Sequence, residues 1–423
     1  MQWVQAYEVD GRTLRSVYAT IGSVFPEVET WQLAVKDLLL VASRKPLAHD
    51  VSSLRSRLKE DPFKTALAAT WRVNDLEGFL AHHMAGATLA RTVSAKDSEY
   101  ISTDDRNYIE FGFAQDMGKR ANFAIDELHH AARELKSERP ELANGEIDWN
   151  RLEERRLDIY LVGNRQPPPA PTTFSSDERN RIRAMGEFLK GNRRGGLALW
   201  QAQAREPETI NELAFVSEAL ADAGDARADR YIEQLRRYQP TEASAIASRL
   251  LWKQGHLAEA AQAMTDSLTH FQQDPWAMSR IMTSALGLVV PLASADPAWG
   301  KSTFATLQKP FAVMGLDMAR METLIGLSRR LDFKSTCVQA LKGFEPHIPW
   351  NADLLALRHA CYELNHSPEL ERASSDLDEF AGRAPFSFAT GLTRNSAELP
   401  VENTKELDAT DGLSAVAPTS STP

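Results

Sequence analysis

The sequence predicts a short mixed α/β segment followed by a long all-α segment, and three observations carry that expectation. Hydrophobic residues alternate or form short apolar runs before residue 112, and recur at helical spacing after it. Turn residues then repeat at a fixed interval through the second half. Last, residues 384–423 are rich in Ser, Thr, Pro and Asp with few large apolar groups, too little to offset the entropy cost of ordering, so they read as a disordered tail. With 423 residues, 43% hydrophobic and 25% charged, the rest has the composition of ordinary globular domains, which excludes collagen and disulfide-stapled miniproteins.

Taken in order, residues 3–9 (WVQAYEV) read as a buried strand. Leu14, Val17, Tyr18 and Ile21 then recur at i, i+3, i+4 and i+7, the stripe of a helix that covers a sheet. Strands near 28–33 and 38–42, separated by a polar turn around Lys36, form a β-hairpin. Strand, helix and hairpin in this order commonly end a mixed sheet, with one antiparallel strand added to a parallel sheet. The first strand has no earlier strand in this sequence to pair with in parallel, and a bare edge is an aggregation liability, so the segment reads as the second half of a domain.

Residues 114–161 are helical, with Phe123, Leu128, Ala131 and Leu135 on one buried face and Trp149, Leu152 and Leu157 on another. The run RQPPPAPTTFSS at 165–176 is a stiff linker, because consecutive prolines remove donors and fix φ. Ser175, Ser176 and Asp177 are placed to cap the next helix. Beyond it, Gly191, Gly224 and Gly255 lie 33 and 31 residues apart, and Pro207, Pro240 and Pro275 lie 33 and 35 apart. Helix pairs of about 34 residues follow. In the clearest unit Gly255 ends one helix, and Leu257, Ala260, Ala261, Met264, Leu268 and Phe271 form the stripe of the next. Gly255, Ala260 and Pro275 resemble the turn glycine, small residue and closing proline of the tetratricopeptide repeat. Later units are degenerate, with Leu331 and Asn365 where the glycine would stand, giving three to six pairs. The expected divisions are 1–112, α/β; 113–164, helical connector; 165–176, linker; 177–383, repeats; and 384–423, tail.

A net charge of -10 and the lack of any Lys/Arg cluster interleaved with aromatics argue against nucleic-acid partners. The longest apolar run, 285–295, is about half a membrane span and contains Pro291, so no membrane segment is expected. No secretory signal is legible at the N-terminus, and a cytoplasmic location is expected. Cys337 and Cys361, in separate predicted helices and without CxxC spacing, are expected to be reduced, half-buried thiols.

Several side chains qualify as candidates. Asp104, Asp105 and Arg106 offer an acidic pair with a positioning arginine, against the plainer reading of a helix cap or local ion pair. Glu127 and His130, with Asp126 and Glu134 nearby, make half of a di-metal motif on what otherwise reads as a solvated helix face; no second ExxH is present, and no metal site is expected. His82 and His83 are adjacent, would diverge by about 100° on a helix, and suit surface or core positions better than ligation. Trp200, Trp252 and Trp276 are candidates to line a peptide groove, unless they pack between repeats.

The segments QWVQAYEVD, TLRSVYATIGSVFPEVETW, KDLLLVAS and STDDRNYIEF resemble the closing third of a spermidine-synthase-like domain, in the bacterial branch that continues into tetratricopeptide repeats. The resemblance covers roughly residues 1–160. It implies an incomplete Rossmann-like sheet of the methyltransferase fold. It also implies decarboxylated S-adenosylmethionine as cofactor for a full-length relative, and an inner-membrane anchor where membrane helices precede the domain. By the same resemblance, Gln2 or Gln5 corresponds to an amine-side glutamine, and Asp104, Asp105 and Arg106 belong to the family's TDDR segment near the mouth of the site. Two departures stand out: Asn107 replaces the family's proline, and QLAVKD replaces the aromatic-proline gate that follows VFP. The family's glycine-rich loop, ribose-binding acid and paired aspartates have no counterpart in this sequence. Without a carboxylate base and an oriented sulfonium, aminopropyl transfer has no means to proceed. The chain as given is therefore expected to be non-catalytic and to bind no cofactor, its repeats engaging a protein partner, its own catalytic half or a second copy. The alternative is a polyamine aminopropyltransferase whose catalytic half lies upstream or on another chain.

Overall fold

The computed structural model describes residues 1–6, 9–34, 37–116, 125–163 and 168–383. They form two compact units, Met1–Asp332 and the described part of Phe333–Pro423. The first opens with β1 (Gln2–Gln5), α1 (Gly11–Gly22), β2 (Glu27–Ala34) and β3 (Asp37–Ser43). Asp10 starts α1 by accepting the Thr13 N–H at 2.7 Å. There follow β4 (His49–Asp50), α2 (Val51–Arg57), α3 (Phe63–Thr70), α4 (Leu76–Leu80), β5 (His83–Ala85) and α5 (Ala87–Lys96). After these come α6 (Tyr108–Asp116), α7 (Ile125–Glu134), β6 (Leu142–Ala143) and α8 (Trp149–Val162).

The main sheet has the order β1-β3-β2-β5, with every neighbouring pair antiparallel. The hairpin forms as expected. The first strand does not pair in parallel: it lies antiparallel to β3, with Gln2 opposite Leu40 and Gln5 opposite Asp37. Residues 7–8 of the expected 3–9 strand lie outside the described residues. Because β1 and β2 are both antiparallel to β3, they run in the same direction, joined through α1. The run LLLV in β3 is apolar throughout because both faces of the sheet are covered. Leu38 and Leu40 join Leu14, Val17, Tyr18, Met84, Leu89 and Leu128 on one side. Leu39 and Val41 join Trp31, Leu76, Leu80 and Leu152 on the other.

The buried stripe of α7 is Ile125, Leu128 and Ala132, rotated from the expected one. Leu135 is exposed because the helix has ended before it, and Phe123 lies outside the described residues. Leu152 and Leu157 of α8 are buried as expected, with Trp149 half-buried.

Consecutive helix pairs and one further helix occupy the rest of this unit: α9 (Ser176–Leu189), α10 (Arg193–Gln201), α11 (Ile210–Asp222), α12 (Ala228–Arg236), α13 (Pro240–Gln254), α14 (Leu257–Phe271), α15 (Ser279–Ala295), α16 (Pro297–Leu307) and, unpaired in sequence order, α17 (Asp317–Arg330). Ser175 and Glu178 form a reciprocal capping box at the start of α9. Gly191, Gly224 and Gly255 stand at the turns inside the first three pairs with φ of 85°, 69° and 83°, a left-handed backbone that glycine adopts at least cost. Pro291 sits inside α15, and no described helix is long and apolar enough to cross a membrane.

The second unit holds α18 (Phe333–Leu341), α19 (Ala352–Leu364) and α20 (Leu370–Gly382). Its left-handed turn residue is His366, at φ 50°, one position after Asn365. Cys337 and Cys361 are not free thiols. They form a disulfide, both fully buried, because the packing of α18 on α19 brings residues 24 apart in sequence to a Cα–Cα separation of 5.9 Å.

Candidate functional site

The residues singled out from the sequence scatter over the molecule. Gln2 and Gln5 are three apart on a strand, so they project to opposite faces and do not address one pocket together. The Gln2 amide donates to the Trp3 carbonyl at 2.7 Å. Asp104, Asp105 and Arg106 are exposed on a turn closed by paired backbone bonds between Thr103 and Arg106, at 3.1 and 3.0 Å. The segment before that turn is tied to α1, where Thr20 Oγ1 accepts the Ser102 N–H at 2.8 Å. Asn107 accepts the Glu110 N–H at 3.2 Å and so caps α6, a role that proline cannot fill.

Trp200 is buried in α10, Trp252 is half-buried in α13, and Trp276, between α14 and α15, is 53% exposed. His130 Nε2 meets Glu134 at 3.1 Å on an exposed face of α7, and Glu127 is exposed beside them.

His82 and His83 are not on a helix. They lead into β5, and both are buried. The His82 ring stacks on Trp71 with centroids 3.9 Å apart, and its Nδ1 lies 2.8 Å from the Gln32 carbonyl oxygen. Burial pushes both imidazoles down to about 4, so they are neutral near pH 7. His83 lies beside Glu29, which sequence reading missed.

Glu29 projects from β2 and is 4% exposed. Both of its oxygens lie 3.1 Å from His49 Nε2 on β4, and the Trp31 indole N–H donates to Oε2 at 3.2 Å. His83 Nε2 is 3.9 Å from Oε1. Burial acts to raise the Glu29 carboxyl, yet hydrogen bonding and positive charge from His49, with help from His83 and Trp31, leave it below the usual carboxylate range. A cavity of about 240 Å³ opens over this group, walled by Trp31, Leu39, Val41, Trp71 and Phe79. Glu29 fixes the orientation of the His49 ring at that cavity, as a carboxylate partner does for an imidazole. No grouping of three or more His, Cys, Asp or Glu suited to a metal occurs among the described residues. The signal for this site was weak: Glu29 and Trp31 alternate on one strand face, but a polar residue in a strand reads as exposed unless its partners from β4 and β5 are known.

A second constellation joins the α/β part to the repeats. Ala68 O accepts the Gln239 side-chain amide at 2.6 Å, and Glu208 O accepts that of Asn74 at 2.9 Å. The Arg72 guanidinium, from a backbone at φ 59°, donates to the Trp276 carbonyl. Deeper in the junction, Arg181 of α9 is fully buried and pairs with Asp158 of α8 at 2.6 Å and with Glu212 of α11. Arg155 reaches Asp75, the cap of α4, at 3.3 Å. These contacts alternate between the sheet's covering helices and the repeats, so the two are fastened at several independent points.

Comparisons with family models, curated proteins and solved structures find no match for this chain.

Proposed function

We propose that this chain is the C-terminal part of a spermidine-synthase-like protein, non-catalytic by itself, whose helical repeats act as an intramolecular scaffold that holds the α/β sheet. The observation that carries the scaffold reading is the docking of residues 68–74 on the repeats, through Gln239, Asn74 and Arg72. These bonds end on main-chain carbonyls, so they fix backbone position whatever side chains surround them.

The family reading is supported by the sheet. Two strands running the same way, joined by a helix, with an antiparallel strand inserted between them, match the closing arrangement of a mixed sheet. The repeats take a tetratricopeptide-like form on this reading, supported by turn glycines with positive φ at the expected interval.

The alternative, an aminopropyltransferase completed by residues upstream or on another chain, is favoured by one feature: β1 ends the strand order, with β3 as its only strand neighbour among the described residues. Assay of the purified chain with decarboxylated S-adenosylmethionine and putrescine tests the non-catalytic reading. No aminopropyl transfer is expected, and product formed by this chain alone overturns the non-catalytic reading. The scaffold reading is tested by hydrogen exchange: a Gln239→Ala, Asn74→Ala double variant should exchange faster at 68–74, and unchanged exchange there would count against it.

A further inference from the structure

A cavity of about 380 Å³ lies between α7, α8 and the proline-rich segment that precedes α9. This volume is within the range of small-molecule pockets. Its charge lining is unbalanced: Arg133, Arg139 and Arg156 face Glu138 and Glu153, three positive groups against two negative. Arg156 is committed, bonding Glu153 at 2.9 Å and the carbonyls of His83 and Glu138, and so forms a fixed floor. Arg133 and Arg139 have no carboxylate partner among the described residues. Arg139 is held over the Trp149 ring, 4.5 Å from its centroid, which orients the guanidinium without using its hydrogen bonds. One carboxylate oxygen of Glu138 is buried with no hydrogen-bond partner. Tyr160, paired with His129 at a centroid distance of 5.0 Å, supplies an aromatic wall. The far wall is pinned where Thr173 donates to Asn150 on α8 at 3.1 Å.

We propose that this cavity binds a small molecule with a flat ring, an anionic group and an amino donor. The uncommitted guanidinium groups of Arg133 and Arg139 take the anion, since a guanidinium suits planar recognition of phosphate or carboxylate. The unpartnered oxygen of Glu138 takes the amino group, because a buried acceptor left unpaired costs free energy that a donor recovers. The ring lies against Tyr160. Phosphate and carboxylate share this chemistry, so two probes distinguish the source: adenosine monophosphate and 4-aminobenzoate.

Isothermal titration calorimetry on the full chain decides the matter, with inorganic phosphate and benzoate as the fragment controls. At least one of the two ring anions should bind with a dissociation constant of about 1 mM or tighter. Arg139→Ala and Arg133→Ala should each weaken it about tenfold. Both side chains are exposed, so the variants should melt like the parent, and a melting scan checks this. Glu138→Gln should weaken 4-aminobenzoate while leaving benzoate unchanged. The proposal fails if neither ring anion binds, if phosphate binds as tightly as adenosine monophosphate and 4-aminobenzoate does not bind, or if binding is indifferent to both arginine variants.

Discussion

Arg181 illustrates what a buried charge demands of its surroundings. Its guanidinium is inaccessible to solvent, and burial would lower its pKa if Asp158, Glu212 and Glu154 did not together raise it. Removing only the cation strands those carboxylates in the interior. Arg181→Met should therefore cost roughly 3–5 kcal/mol in urea-induced unfolding, although methionine fills much of the volume. The imidazoles make the complementary case. His82 and His83 titrate near 4 when folded against 6.5 in the reference state, so between those values the unfolded chain binds protons that the folded chain refuses. Stability is fully present above about pH 6.5 and falls as the pH drops toward 4, by on the order of 3 kcal/mol for His82 alone. Glu29, held below its ordinary value, acts in the same direction at the acidic end of this window. Melting temperatures measured from pH 7 to 4.5 should fall, and the slope should be shallower in His82→Asn; an equal slope would remove histidine from the explanation.

At the scale of elements, glycines in the repeats do two different jobs. Gly255 holds a left-handed turn with nothing within 4 Å of where a Cβ would stand, so Gly255→Ala should cost only backbone strain, about 1 kcal/mol. Gly196 lies where α10 crosses α9, and an added Cβ would meet the Phe188 ring at 2.4 Å. Gly196→Ala should cost more, roughly 1–3 kcal/mol, and denaturant titration of the two variants ranks them. The same pair shows what was legible from sequence. Gly255 was visible because turn glycines recur at a fixed interval; Gly196 was not, because close helix contact leaves no periodic mark. The hairpin was legible for a similar reason, since its two strands are neighbours in sequence. The antiparallel partner of β1 was not, because Gln2 and Leu40 are brought together by a register that only the folded sheet sets. The Glu29 site was hidden likewise, drawing residues from three separate strands.

For the whole molecule, the division into two units predicts separable behaviour. The disulfide lies within the second unit and closes a loop across 24 positions, so reduction should destabilise that unit by about 3 kcal/mol through the larger entropy of its unfolded chain. Calorimetry with and without dithiothreitol should show a shift confined to one of two transitions. A single transition that moves as a whole would mean that the units unfold cooperatively. The expectation of two reduced thiols failed because the sequence placed the cysteines in separate helices without CxxC spacing and gave no means of knowing that those two helices pack together.

That bond also has a practical corollary for spectroscopy. The sequence contains two cysteines, and none is free. Any thiol introduced at an exposed position, such as Asp105 on its turn or Arg139 at the cavity mouth, would be the sole target for a maleimide dye or spin label. Distances and environments around either site become measurable without first stripping the native sulfur atoms from the protein.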